Sequence, residues 1–139
     1  MFYAYLFFGG NCREAFTRYQ EIFGGNAEMM TMADAPADAG PIPDEQKDMV
    51  LHAALMAGDG MLMGSDDPGD FSGVQGMSVT YSAPDAETAE RVFAQLAEGG
   101  QVTAPLEPTF FSPRFGMCVD RFGTPWMVVA DMPAEGSAG

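Results

Sequence analysis

Few side chains in this sequence are suited to chemistry, and their scarcity narrows what the protein can do. There is one histidine, His52, and there are two cysteines, Cys12 and Cys118. His52 is the candidate catalytic residue. An imidazole that titrates near neutrality serves as a general base or as a hydrogen-bond partner in a pocket. The plainer alternative is a half-buried strand histidine satisfied by backbone. Its neighbours leave both open, because Val50, Ala54 and Met56 look no different from Leu51, Ala53 and Leu55 on the opposite face. Arg114 is one of six cations and follows Phe110 and Phe111; Trp126, the single tryptophan, lies in the next apolar run. A lone Arg in an aromatic wall can hold a carboxylate or phosphate bidentately, or it can pair with one of the many carboxylates of the chain. Asp66, Asp67 and Asp70 crowd one short stretch, but their spacing fails the EF-hand pattern and they read as solvated loop charges. Neither cysteine has a CxxC neighbour, so both read as buried, reduced thiols. Twelve methionines concentrate on strand-like runs, among them Met29, Met30, Met32, Met56, Met61, Met63, Met77, Met117 and Met127. Soft Cu(I) binding is the sharp reading of them; adaptable packing of a core and an apolar cavity is the reading preferred here.

The elements that must position these groups follow from periodicity and turn residues. Residues 110–132 hold two short apolar runs, FGMCV and PWMVV, around the turn Asp120-Arg121-Phe122-Gly123-Thr124. That is a β-hairpin signal, and the hairpin reads as one wall of a small-molecule pocket. Residues 2–8 read as a first strand with Tyr3, Tyr5 and Phe7 on one face and Phe2, Ala4, Leu6 and Phe8 on the other. After Gly9-Gly10, Asn11 has the position of an N-cap with Glu14 as capping-box partner. Cys12, Ala15, Phe16, Tyr19, Ile22 and Phe23 then recur at helical spacing, and Gly24-Gly25 ends the helix. Residues 27–32 form a short strand. Residues 33–48, rich in Pro, Ala and Asp, form a long acidic loop that is a lid, an interface arm or simply mobile surface. Residues 49–56 and 60–64 form a hairpin, and 65–70 a loop. The second half repeats the plan: a strand at 75–81, a helix capped by Asp85 with Ala89, Val92, Phe93 and Leu96 on its apolar stripe, Gly99-Gly100, a strand at 101–106, and the closing hairpin of 115–119 with 125–130. The two Gly-Gly pairs lie 75 residues apart and the two caps 74. The sequence therefore predicts a single domain over 1–139 with an internal repeat, about 1–70 and about 74–132. The fold class is α+β: two βαβββ modules forming curved, mostly antiparallel sheets around a shared cavity, helices outside.

Composition excludes several classes of partner. Six basic against twenty acidic side chains give a formal charge of −14, which repels nucleic-acid phosphate and anionic membrane surfaces. No apolar run approaches the ~20 residues of a membrane helix. The opening MFYAYLFF lacks a basic n-region and a small-residue cleavage site, so it reads as a strand and not a signal peptide. The expectation is a cytoplasmic protein.

The paired module resembles the vicinal oxygen chelate superfamily, which includes glyoxalase I, bleomycin-resistance proteins and extradiol dioxygenases, and within it the PhnB-like branch. The residues that carry the likeness are Gly-Gly-Asn-Cys-Arg-Glu-Ala at 9–15, His52-Ala-Ala-Leu-Met with Met61-Leu-Met-Gly-Ser-Asp66, Phe110-Phe111-Ser-Pro-Arg-Phe-Gly-Met117 and Asp120-Arg-Phe-Gly-Thr-Pro-Trp-Met127. They span nearly the whole chain. In the metal-dependent members, His or Gln and Glu ligands from the first and last strands of each sheet hold a divalent ion that polarises two substrate oxygens. At the matching positions this sequence has Met127; Met61 or Met63; Tyr3, Ala4 or Tyr5; and Gly76, Met77 or Ser78. Thioethers do not serve a hard divalent ion, so no metal and no cofactor are expected. Some members carry a demethylubiquinone methyltransferase label; the sequence has no GxGxxG after a strand for an adenosyl cofactor, so a methyltransferase is not expected. The resemblance implies a homodimer. The leading expectation is a metal-free protein that binds or sequesters a small molecule in a pocket lined by Tyr3, Tyr5, His52, Met61, Met63, Phe111, Arg114, Trp126 and Met127. The alternatives are a non-metal lyase or isomerase using His52 or a Tyr as acid/base, and a structural homodimer without a ligand.

Overall fold

The computed structural model describes residues 2–36, 40–67, 69 and 75–131. The chain divides into two compact units, Met1–Gly73 and Val74–Gly139. In the first, β1 (Ala4–Phe8) leads into α1 (Cys12–Phe23), followed by β2 (Asn26–Thr31), β3 (Val50–Ala57) and β4 (Gly60–Asp66). In the second, β5 (Val79–Ala83), α2 (Ala86–Ala97), β6 (Gln101–Glu107), β7 (Phe115–Val119) and β8 (Pro125–Ala130) follow the same order. The strands lie in the orders β1-β4-β3-β2 and β5-β8-β7-β6. The fold is thus α+β, two βαβββ modules, each with a mixed four-stranded sheet.

Connectivity dictates the mixture. Each helix returns the chain to the starting end, so the second strand of a module runs in the same direction as the first. Two hairpins then reverse the chain twice, and the last strand lies parallel to the first: β4 beside β1, and β8 beside β5. The remaining pairings are antiparallel.

Each helix covers one face of its own sheet. Under α1 the core is Leu6 and Phe8 of β1, Val50, Ala53 and Leu55 of β3, and the helix stripe Cys12, Ala15, Phe16, Tyr19 and Ile22. Phe16 meets Phe8 and Tyr19 edge-on, with ring centroids 6.1 and 5.8 Å away, a favoured aromatic geometry. Under α2 the core is Ala83, Cys118, Trp126, Val128 and Ala130 with Ala89, Val92, Phe93 and Leu96. Glycines let the helices sit close. A Cβ on Gly64 would lie 2.9 Å from the Phe16 ring, and one on Gly116 2.8 Å from the Phe93 ring.

Both Gly-Gly pairs have a division of labour beyond ending a helix. The first member takes a left-handed backbone, φ +74° at Gly24 and +76° at Gly99. The second passes against the sheet, where a Cβ would overlap the carbonyl oxygen of Met56 at Gly25 and of Val119 at Gly100.

Several local expectations are corrected. β5 starts at Val79 and not at residue 75; Gly76 lies just upstream at φ +77°, outside the extended region. β4 continues through Ser65 and Asp66, which were expected in a loop, because both pair with β1 opposite Phe7 and Phe8. Asn11 occupies the cap position without a side-chain cap bond; the carboxylate of Asp66 reaches that end of the helix instead. Asp85 does cap α2, accepting from the Thr88 amide at 2.7 Å; the Thr88 side chain first, and then this amide, hold its carboxyl below the ordinary value. Parts of the acidic loop, and Asp70, lie outside the described residues; its described ends include two short 3-10 turns, Met32–Asp34 and Asp44–Gln46.

Candidate functional site

Strand alternation places every second side chain on the face opposite the helix. In the first unit the register settles which residues those are. Tyr5 is opposite Met63, Met63 is opposite Ala54, and His52 is opposite Met30. Phe7, Met56 and Met61 share the parity. This face is apolar yet open: Tyr5 is 40% exposed, Phe7 52%, Met30 46% and Met56 49%. A contiguous apolar surface of this kind marks an interaction site more often than a solvated one.

Glu28, opposite Ala54, Ser65, opposite Phe7, and one polar side-chain contact interrupt it. The Tyr5 hydroxyl lies 3.3 Å from His52 Nδ1, with the rings 5.8 Å apart and tilted by 34°. Phe7 packs beside Tyr5 at 5.1 Å. His52 is half-buried and faces away from α1, which resolves the ambiguity left by its apolar flanks.

The second sheet presents Thr80, Met117 and Met127 in one row, with Phe115 and Val129 as the next pair. Phe111 extends this face from the loop, stacking edge-on against Phe115 and Phe110, at 5.2 Å each. The loop is tied down by Ser112, whose buried Oγ lies 2.7 Å from both the Arg114 and Ala130 carbonyls, and by Thr109 Oγ1, which accepts from the Phe111 and Ser112 amides.

The nine expected lining residues therefore divide. Tyr5, His52, Met61 and Met63 share the open face of the first sheet, and exposed Tyr3 immediately precedes β1. Phe111 and Met127 belong to the second sheet. Arg114 and Trp126 lie on neither open face, which corrects the shared hairpin wall. Arg114 Nε donates to Glu90 Oε1 on α2 at 2.9 Å and Nη1 to the Pro113 carbonyl at 2.7 Å. Trp126 is 2% exposed in the core under α2, its indole N–H donating to Asp120 Oδ2 at 2.8 Å.

Two residues were missed by sequence reasoning. Asp66 is 4% exposed; its Oδ1 accepts from the Gly10 and Cys12 amides and its Oδ2 from the Val50 amide. Asp120 Oδ1 accepts from the Phe122 and Thr124 amides. A weak signal existed for Asp120, an Asp opening a Gly-containing turn. None existed for Asp66, whose partners come from distant segments. Both carboxylates also bear on the thiols. Burial first, then the charge of Asp66, pushes Cys12 up to about 12; burial, then Asp120, pushes Cys118 up to about 11. Neither thiol is a nucleophile near neutral pH.

The donor set can be tested against a metal. By register the open-face residues of the first and last strands are Tyr5 with Met63 and Thr80 with Met127. Thr80 takes the place that the family resemblance gave to residues 76–78, because β5 begins later than expected. Neither the phenol and thioether of the first sheet nor the hydroxyl and thioether of the second fit a hard divalent ion. Among the described residues no group of three or more His, Cys, Asp or Glu stands together to hold one. No helix among them is long and apolar enough to cross a membrane.

Comparison with known proteins agrees with this architecture. A family profile described as 3-demethylubiquinone-9 3-methyltransferase matches residues 1–129. Protein YjdN of Escherichia coli K12 is 30% identical, over 94% of this chain and 97% of its own. The structure of protein PA1353 from Pseudomonas aeruginosa is 42% identical with a TM-score of 0.82, covering 94% of this chain and 97% of that one. That of a putative 3-demethylubiquinone-9 3-methyltransferase, PhnB protein, from Bacillus cereus is 25% identical with a TM-score of 0.73, covering 93% and 98%. The fold alone is shared with a glyoxylase/bleomycin resistance protein/dioxygenase domain from Frankia sp. EAN1pec, at 12% identity and a TM-score of 0.63 over 99% and 96%. With two βαβββ modules and a family match along nearly its whole length, the chain belongs to the PhnB-like family.

Proposed function

We propose that this protein binds a small molecule with an aromatic or planar apolar part, without a metal, and that it does so as a homodimer. The observation that carries the reading is the open face of the first sheet, where Phe7, Met30, Met61 and Met63 surround the Tyr5–His52 contact. Aromatic and thioether side chains supply adaptable contact area, and a few placed polar groups fix orientation. The dimer is supported by further exposed apolar side chains, Phe2, Tyr3 and Phe110 among them, which favour a partner surface.

The same Tyr5–His52 contact favours a second reading, a lyase or isomerase that moves a proton through His52 or Tyr5 without a metal. A phenol within hydrogen-bond reach of an imidazole orients the ring and sets which nitrogen holds the proton.

Native mass spectrometry of protein purified without chelator, with elemental analysis of the same sample, tests the proposal. The expected result is a dimer free of stoichiometric metal that retains or takes up a small organic molecule. A stoichiometric divalent ion would overturn the metal-free reading. A bare dimer that takes up no compound from an aromatic library would favour a structural role.

A further inference from the structure

The Tyr5–His52 pair says more about the ligand than that it is apolar. Of the two partners, a phenol is the better donor and a neutral imidazole nitrogen the better acceptor. The 3.3 Å contact is therefore Tyr5 Oη–H donating to Nδ1, which places the imidazole proton on Nε2. Among the described residues no hydrogen-bond partner is present for Nε2. The ring thus offers one N–H donor on the face that it shares with Phe7, Met30 and Met63.

Building on the binding reading proposed for this face, we infer that the first sheet holds a site for a neutral, planar aromatic molecule bearing one acceptor oxygen of the carbonyl type, which takes the hydrogen bond from His52 Nε2. Charge excludes an anion, and the N–H donor of His52 disfavours a cationic group at the contact. Glu28 lies on the same face, opposite Ala54, and the whole chain carries −14, so an anion is repelled. Aromaticity follows from the lining, since thioether sulfurs and ring edges both favour contact with a π-system. The donor supplies orientation, and the surrounding face supplies most of the contact.

A pair of probes of equal shape tests this: 2-acetylnaphthalene, which has the acceptor, and 2-ethylnaphthalene, which lacks it. Binding of each to the full chain is followed by naphthalene fluorescence. The ketone should bind wild type about threefold to tenfold more tightly than the hydrocarbon, the range expected for one neutral hydrogen bond. His52→Ala should abolish that preference, so that the two probes bind the variant equally. His52 is the only histidine, so its ring nitrogens give an unambiguous 15N signal in the unmutated protein. The spectrum should show the Nε2–H tautomer and a shift of that nitrogen with the ketone alone. Equal binding of the two probes, or an Nδ1–H tautomer, would overturn the inference and leave the binding proposal standing. Failure of both probes to bind would overturn both.

Discussion

Replacing Asp66 with Asn should unlatch the first unit. The carboxylate is buried and holds three backbone amides: Gly10 at 3.0 Å, Cys12 at 2.9 Å and Val50 at 2.9 Å. It thereby ties the end of β4 to the start of α1 and the start of β3. In Asp66→Asn the remaining carbonyl oxygen can keep the Gly10 and Cys12 bonds, but the new NH2 group meets the Val50 N–H donor to donor. Loss of one charge-assisted hydrogen bond costs about 1.5–3 kcal/mol, and leaving the buried N–H unpaired adds to it. The expected destabilisation is about 3 kcal/mol. Urea unfolding followed by circular dichroism should show a lower midpoint with an unchanged slope. Asp44→Asn is the control, since its side chain is 91% exposed and, among the described residues, pairs only with Lys47; it should leave the midpoint where it is. An Asp66→Asn protein as stable as wild type would refute the view that this carboxylate is the latch.

Asp120→Asn should turn an NH2 group toward the Trp126 indole N–H, costing about 2 kcal/mol and red-shifting the emission of the only tryptophan, read directly by fluorescence. The thiols should resist labelling at pH 8 until the protein unfolds. Because folding raises both pKa values from 9.0, to about 12 and about 11, the native state holds more protons above pH 9; stability should therefore fall as pH rises from about 9 toward 12, and a Cys12→Ala, Cys118→Ala double variant should flatten that fall. Gly25→Ala should cost about 2–4 kcal/mol, combining a left-handed backbone with overlap of the Met56 carbonyl. Gly24→Ala, left-handed with open space around it, should cost only about 1–2 kcal/mol by urea titration.

The architecture was legible because its signals are local. Helical spacing in 12–23 and 86–97, the two Gly-Gly pairs and the hairpin turns all read out within a few residues. The sites were less legible because they depend on which face of a strand is covered. β8 reads PWMVVA, apolar on both faces, so nothing local says that Trp126 faces α2 while Met127 faces away. β3 has the same ambiguity around His52; only pairing with β2 and packing under α1 resolve it. Asp66 resembles its neighbour Asp67 in sequence, and its burial follows from parallel pairing with β1, a contact between segments 58 residues apart at Phe8 and Asp66. Arg114 could have held a ligand anion or a carboxylate of the chain, and its partner Glu90 is 24 residues away in sequence, so only the packing of α2 over β7 decides between them.

Binding of a planar apolar ligand to the open face of the first sheet, without a metal, is tested most directly by titrating protein carrying 13C-labelled methionine methyl groups with 2-acetylnaphthalene in the presence of EDTA. Among the described residues, methionines lie on strands of both sheets, Met30, Met61 and Met63 in the first and Met117 and Met127 in the second. The expected shifts centre on Met30, Met61 and Met63, with a weaker response in Tyr5→Phe protein. No shift at those three methyls, or shifts that appear only when a divalent ion replaces the EDTA, would contradict metal-free binding at this face.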